Sequence, residues 1–199
     1  TIEPGSEVSE LTTTQGSLRR QVVDGATWLL DLGIAPADTP RERAAKTALT
    51  LAAIVLGAFA GAWTLAYFLS GFTTAWVITL VYQVGLLLAL VHFAMTKHFA
   101  VFRFASLSLH LVTPIAVQVA LGGFHASSGV ALWSLVAPLG ALLAYGSRET
   151  LRWFAAYMFL VGTSVAVGMT EIISGFHVPT VTVAIFFVAN IGGVSAVVY

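Results

Sequence analysis

Cysteine is missing from all 199 residues, which removes disulfides, thiolate nucleophiles and sulfur-ligated metals together. Charge is nearly as scarce: 9% of residues are Asp, Glu, Lys or Arg, where a soluble domain carries about 25%. The nine basic and nine acidic side chains cancel, so no basic excess points to nucleic acid as a partner. The first residues lack the basic patch and short apolar core of a secretory signal. Catalytic signatures are missing too, with no phosphate-cradling loop, nucleophile elbow, H-E-x-x-H pair or two carboxylates at one depth. What fills the chain is apolar: 58% of residues are hydrophobic and the mean hydropathy is +0.91. This composition predicts an all-α, polytopic membrane protein with the lipid bilayer as its first partner.

Residues 1–39 read as a cytoplasmic N-terminal region. The first fifteen are rich in Ser, Thr and Glu and predict a mobile tail. From Ser17 onward Leu18, Val22, Ala26 and Leu29 recur at helical spacing, with Arg19, Arg20 and Asp24 on the other side. That is an amphipathic helix for a membrane surface or a partner domain, stopped by Gly33 and Pro36. Thr39, Pro40 and Glu42 then form a strong helix start, with a cap, a first-turn proline and a capping-box partner. One helix is expected over 40–69, its first turn and a half, with Arg41, Arg43 and Lys46, standing in the cytoplasm. The domain 40–199 divides into six spans, at about 47–69, 74–95, 100–121, 130–145, 151–170 and 180–199. The fourth is short for a bilayer and is expected to draw on loop residues.

Every Lys and Arg falls before the first span, in the loops after the second and fourth spans, or in the helical turn following each of those loops. Loops 70–73, 122–129 and 171–179 contain none. The positive-inside rule then places both termini on the cytoplasmic side of the membrane. Trp76 and Trp133 near the outer boundary, with Tyr145, Trp153 and Tyr199 near the inner one, fit aromatic belts.

Small residues recur four apart at Gly57/Gly61, Ala189/Gly193 and Gly192/Ala196, a spacing that lets helices approach closely, within one subunit or across a homodimer. Pro114 and Pro138 are expected to kink their spans. Gln83, His92, His110, Gln118 and Asn190 fall at bilayer depth, so they should point inward and bond one another or backbone carbonyls. Counted from the cytoplasmic ends, His92 lies about 5 Å deep and His110 about 15 Å deep, a poor match for paired haem ligands. On the outer side, His125, Glu171 and His177 could hold a divalent metal only if separate loops converged, and ordinary loop polarity is the simpler account.

The stretch 121–154, LGGFHASSGVALWSLVAPLGALLAYGSRETLRWF, resembles the six-helix membrane region that precedes the catalytic domain in a group of bacterial class III adenylate/guanylate cyclases. The earlier WLLDLGIAPADTPRERAAKTALTLAA, 28–53, is similar to what precedes the first helix there. The resemblance rests on texture (GGF, SSG, LW, APLGAL, WF). It implies a cytoplasmic catalytic domain after Tyr199, working as a homodimer and converting a nucleoside triphosphate to a cyclic nucleotide. It also implies Mg or Mn in that domain and no cofactor in these residues.

Two functions follow. One is the membrane anchor and receptor of a cyclase, with the input region of a sensor histidine kinase as its variant. The other is a standalone accessory subunit of a larger complex. For the first, a small hydrophobic ligand is expected in the outer half, between the fourth span and the third and fifth. Its mouth would be lined by Phe124, His125, Ser127, Ser128 and Trp133, with Glu171 and His177 opposite.

Overall fold

A computed structural model describes residues 32–123, 126–168 and 180–198, together with Gly25. Among these residues all regular structure is helical. Helix α1 is Pro40–Leu69, α2 is Thr73–Thr96 and α3 is Phe99–Ala120. A 3-10 segment, Val130–Leu135, leads into α4, Val136–Tyr145, which is followed by α5, Ser147–Gly168, and α6, Thr180–Val198. Four helices are long and apolar enough to cross a membrane: α1, α2, α3 and α5. The expected fourth and sixth spans correspond to shorter apolar helices, Val130–Tyr145 and Thr180–Ser195, so six crossings do not follow from helix length alone. The amphipathic helix and the tail before it lie outside the described residues, apart from Gly25 and Leu32.

The helix boundaries follow from local chemistry. Thr39 Oγ1 accepts from the Glu42 amide at 3.3 Å, while the Glu42 carboxylate accepts from the Thr39 amide at 2.9 Å. This is the expected capping box, with Pro40 in the first turn. At the other end Phe72 N–H bonds Tyr67 O and Gly71 N–H bonds Phe68 O, at 2.9 and 3.1 Å. Gly71 at φ +77° makes that left-handed stop. The same pair of bonds ends α3, from Gly123 to Gln118 and from Gly122 to Val119.

Two expectations need correction. Helix α5 starts at Ser147 rather than 151, so the charged segment is its first turn. Gly146, at φ 89° and ψ −178° in a region open essentially to glycine alone, reverses the chain in a single residue. Pro138 stands in the first turn of α4, where its missing N–H costs little, instead of kinking one continuous helix. Pro114 does lie inside α3 and leaves the His110 carbonyl without its i+4 donor.

Burial runs opposite to that of a soluble bundle. Outward-facing Leu87, Phe159 and Val188 are 61%, 72% and 71% exposed, while Gln118 and Ser134 are fully enclosed. Apolar side chains outside and paired polar groups inside suit lipid as the surrounding solvent. One core cluster, including Leu49, Tyr82, Phe93 and Phe102, fills the end that carries the basic residues. A second, including Tyr67, Val117, Val130 and Trp133, fills the far end.

The basic end is closed by a clasp. Gly33, at φ +84°, lies on the Phe93 ring so closely that a Cβ there would come 2.1 Å from Cζ. Lys46, in the part of α1 expected to stand in the cytoplasm, is buried against this segment. Its Nζ donates to both Asp38 carboxylate oxygens, at 2.8 and 2.7 Å, and to Gly33 O at 3.1 Å. The Ala35 N–H, first, and Lys46, second, hold the Asp38 carboxyl below its ordinary value. A lowered carboxyl stabilises the fold at pH above its unfolded value, and that contribution disappears as pH falls through the folded one. Asp38→Asn is therefore expected to lower the melting temperature in detergent at about pH 7 and progressively less toward about pH 3. A penalty that stayed constant across that range would assign the effect to lost hydrogen bonds rather than to charge.

Candidate functional site at the far end of the bundle

Between α3 and α4 the described residues 121–123 and 126–135 leave α-helical geometry inside the protein, and side chains from three helices compensate. After the α3 stop, Ser128 and Gly129 adopt φ 58° and 76°, folding the chain back before the 3-10 segment begins. Asn190 of α6 reaches this loop with both ends of its amide. Its Oδ1 accepts from the Trp133 indole at 2.9 Å and its Nδ2 donates to Ser128 O at 3.1 Å. Indole nitrogen only donates and a carbonyl only accepts, so the amide orientation is determined. Gln118 of α3 does the same across the loop: Oε1 accepts from Ser127 Oγ at 3.3 Å and Nε2 donates to Ser164 Oγ of α5 at 2.8 Å. Ser134 Oγ donates to Leu111 O at 2.8 Å. Irregular backbone at bilayer depth is tolerable only when enclosed by protein in this way.

Beneath the loop lies an apolar cavity of about 70 Å3. Phe59 and Trp63 of α1, Tyr82 of α2, Pro114 of α3, and Val130 and Trp133 enclose it. Tyr82 and His110 bring a polar pair to its lining. His110 Nδ1 donates to Ser106 O at 2.5 Å, which leaves Nε2 of the neutral ring as acceptor for the Tyr82 hydroxyl at 3.2 Å. Close by, Thr64 Oγ1 joins Thr79 Oγ1 at 2.9 Å and accepts from Gln83 Nε2 at 2.5 Å. The cavity suits a small, mainly apolar molecule, or a section of a chain, that can share the Tyr82–His110 hydrogen bond.

The cavity lies elsewhere than expected. It shares the third span, through Thr113 and Pro114, and the fourth, through Val130 and Trp133, with the expected site, but α1 and α2 rather than the fifth span complete its walls. The Gln118–Ser164 bond and the enclosed Ser127 close the α3–α5 side. Ser128 is also buried, and its hydroxyl has no hydrogen-bond partner. Of the anticipated lining residues Trp133 faces the cavity. Phe124, His125, Glu171 and His177 lie outside the described residues. Among the described residues no three of His, Asp and Glu come together as a metal site. Of the intramembrane polar residues, Gln83, His110, Gln118 and Asn190 pair internally, whereas His92 is exposed, its ring 6.3 Å from that of His98. Sequence reasoning passed over Tyr82 and Thr79. Their spacing with Gln83 on one side of α2 was the available signal.

The small residues divide by direction. A Cβ on Gly57 would meet Leu86 at 3.4 Å, one on Gly61 would meet Gln83 at 3.8 Å, and one on Gly193 would meet Trp133 at 2.7 Å, so all three serve packing within the chain. Gly192 has nothing within 4 Å, and Ala189 beside it is exposed. The side chain of Ala196 lies outside the described residues.

No family model matches the chain. Neither the curated proteins nor the solved structures hold a match to it.

Asn190→Leu strands both the Trp133 indole and the Ser128 carbonyl. Intramembrane hydrogen bonds average about 0.6 kcal/mol and soluble buried ones about 1, so a loss of about 1–2 kcal/mol is expected in reversible unfolding from mixed micelles. Trp133→Phe breaks one of the two bonds and should lose about half as much. No loss with Asn190→Leu would remove the amide's structural role.

Proposed function

We propose that the chain is a six-crossing membrane anchor and input region, with both ends in the cytoplasm, that dimerises and regulates a class III nucleotide cyclase domain. The sequence resemblance in 28–53 and 121–154 supports the cyclase assignment. Lys46, Arg103 and Arg41 gather at one end, around Phe99 and the α4–α5 turn, and the positive-inside rule favours the cytoplasm for that end. Two shorter helices complete the six crossings. A 3-10 helix rises about 2.0 Å per residue, so Val130–Tyr145 covers about 27 Å, close to a bilayer core of about 30 Å. The α6 helix covers about 28 Å. Ala189 and Gly192 on its open face are the dimer contact in this reading. The Mg or Mn of cyclase chemistry belongs to the catalytic domain, and these residues act by binding and by transmitting shape.

The observation that carries the input role is the position of Trp133. Its ring lines the cavity, its indole bonds Asn190 and its edge presses on Gly193. A small hydrophobic ligand that binds one position of Trp133 better than another therefore biases α6, the helix that leads toward Tyr199. A ligand with equal affinity for both positions shifts nothing.

The test uses the natural full-length gene product in membranes. Conversion of ATP or GTP to a cyclic nucleotide is expected, and Ala60→Leu, which fills the cavity from α1, is expected to change it severalfold. Insertion is checked by cysteine labelling, with Ser70→Cys reacting from outside and Ser147→Cys from the cytoplasm. A reversed pattern overturns the orientation. A reading frame without a cyclase domain overturns the cyclase assignment, leaving an accessory subunit or a histidine-kinase input.

A further inference from the structure

At the basic end, a second cavity of about 260 Å3 opens between the start of α1, the start of α3 and the end of α4. Arg41 and Arg103 stand on its two sides, and Phe99, Tyr145 and Leu143 complete the wall. The nearby basic groups are already engaged. Lys46 is paired with Asp38, Arg43 bonds the Asp38 and Pro36 carbonyls, and Arg152 pairs with Glu149 at 2.7 Å. Among the described residues Arg41 and Arg103 have no ion-pair partner.

Arg103 is held in place without being satisfied. Its guanidinium carbon lies 3.5 Å from the Tyr145 ring centroid and 5.3 Å from that of Phe99. Its Nη1 donates to Ala144 O at 3.3 Å, which leaves its Nε buried with no acceptor. A buried charged donor without an acceptor is costly, and a planar guanidinium fits the oxygens of phosphate or carboxylate. Arg41 extends over the α4–α5 turn, where a Cβ on Gly146 would lie 3.2 Å from its Nη2. The one carboxylate on the wall, Glu42, is turned to the Thr39 amide and hydroxyl, at 2.9 and 2.8 Å. Two guanidiniums against one occupied carboxylate leave the cavity cationic.

We propose that this cleft binds the phosphate of one anionic phospholipid, between Arg41 and Arg103. The cavity wall itself selects a lipid over a free phosphate. Leu143, part of its lining, is 59% exposed, so an apolar side chain open to acyl chains adjoins the anion site. Basic clefts between membrane helices are a known form of lipid-headgroup site. The proposal rests on membrane insertion and not on the cyclase assignment.

The experiment is native mass spectrometry of the purified chain, together with its melting temperature, on adding phosphatidylglycerol, phosphatidylcholine or glycerol phosphate. One retained phosphatidylglycerol and a raised melting temperature are expected, with neither effect from phosphatidylcholine or glycerol phosphate. Arg103→Gln and Arg41→Gln should each weaken retention about tenfold or more, whereas Arg148→Gln, on the same end but outside the cleft, should leave it unchanged. If Arg103→Gln does not fold, exposed Arg41 carries the comparison with Arg148 alone. Equal weakening by Arg148→Gln would indicate a diffuse basic rim and overturn the site. Equal stabilisation by glycerol phosphate would overturn the lipid assignment. Failure to insert into nanodiscs would instead overturn the membrane reading on which the proposal stands.

Discussion

Where helices are surrounded by apolar solvent, a segment of non-helical backbone needs internal partners, and here two amides supply them. Gln118 and Asn190 each donate and accept at once, and both reach into the loop before the 3-10 segment. With the loop fixed, Trp133 is fixed, and with it the packing of α6 against Trp133 through Gly193. The same contacts close the α3–α5 side and leave the unfilled volume on the α1–α2–α3 side. The cavity meets the loop's support at Trp133, so residues far apart in the chain share one wall of it.

The two ends of the bundle use different physics. The far end relies on neutral hydrogen bonds and aromatic packing, with Phe186 of α6 set against Trp63 and Tyr67 at 5.2 and 5.9 Å. The basic end uses charge held in low exposure, in the Asp38–Lys46 pair and the stacked Arg103. Exposed ion pairs contribute little, but Lys46 is mostly removed from water and has three acceptor atoms around it. At this end the Asp38–Lys46 pair fixes the chain's entry into α1. The far end, held by neutral bonds, is where a small shift of the Trp133 ring reaches α6.

The sequence by itself determined the helical class, the place of α1 and the gathering of basic residues at one end. Each is a local or compositional property: a capping box is written within four residues, and apolar length is visible in one dimension. It also identified Gln83, His110, Gln118 and Asn190 as inward-facing, because a polar group is costly against lipid, but His92, read with them, is exposed near the end of α2. Residue types could not say with whom those groups pair. Asn190 joins Trp133 across 57 positions and Gln118 joins Ser164 across 46. Only the tertiary structure decided that Gly57 and Gly61 face α2, that Lys46 is enclosed, and that the cavity lies beside α1 instead of α5. Those outcomes depend on which helix faces which, and helices with apolar residues on every side carry almost no periodic signal to record it.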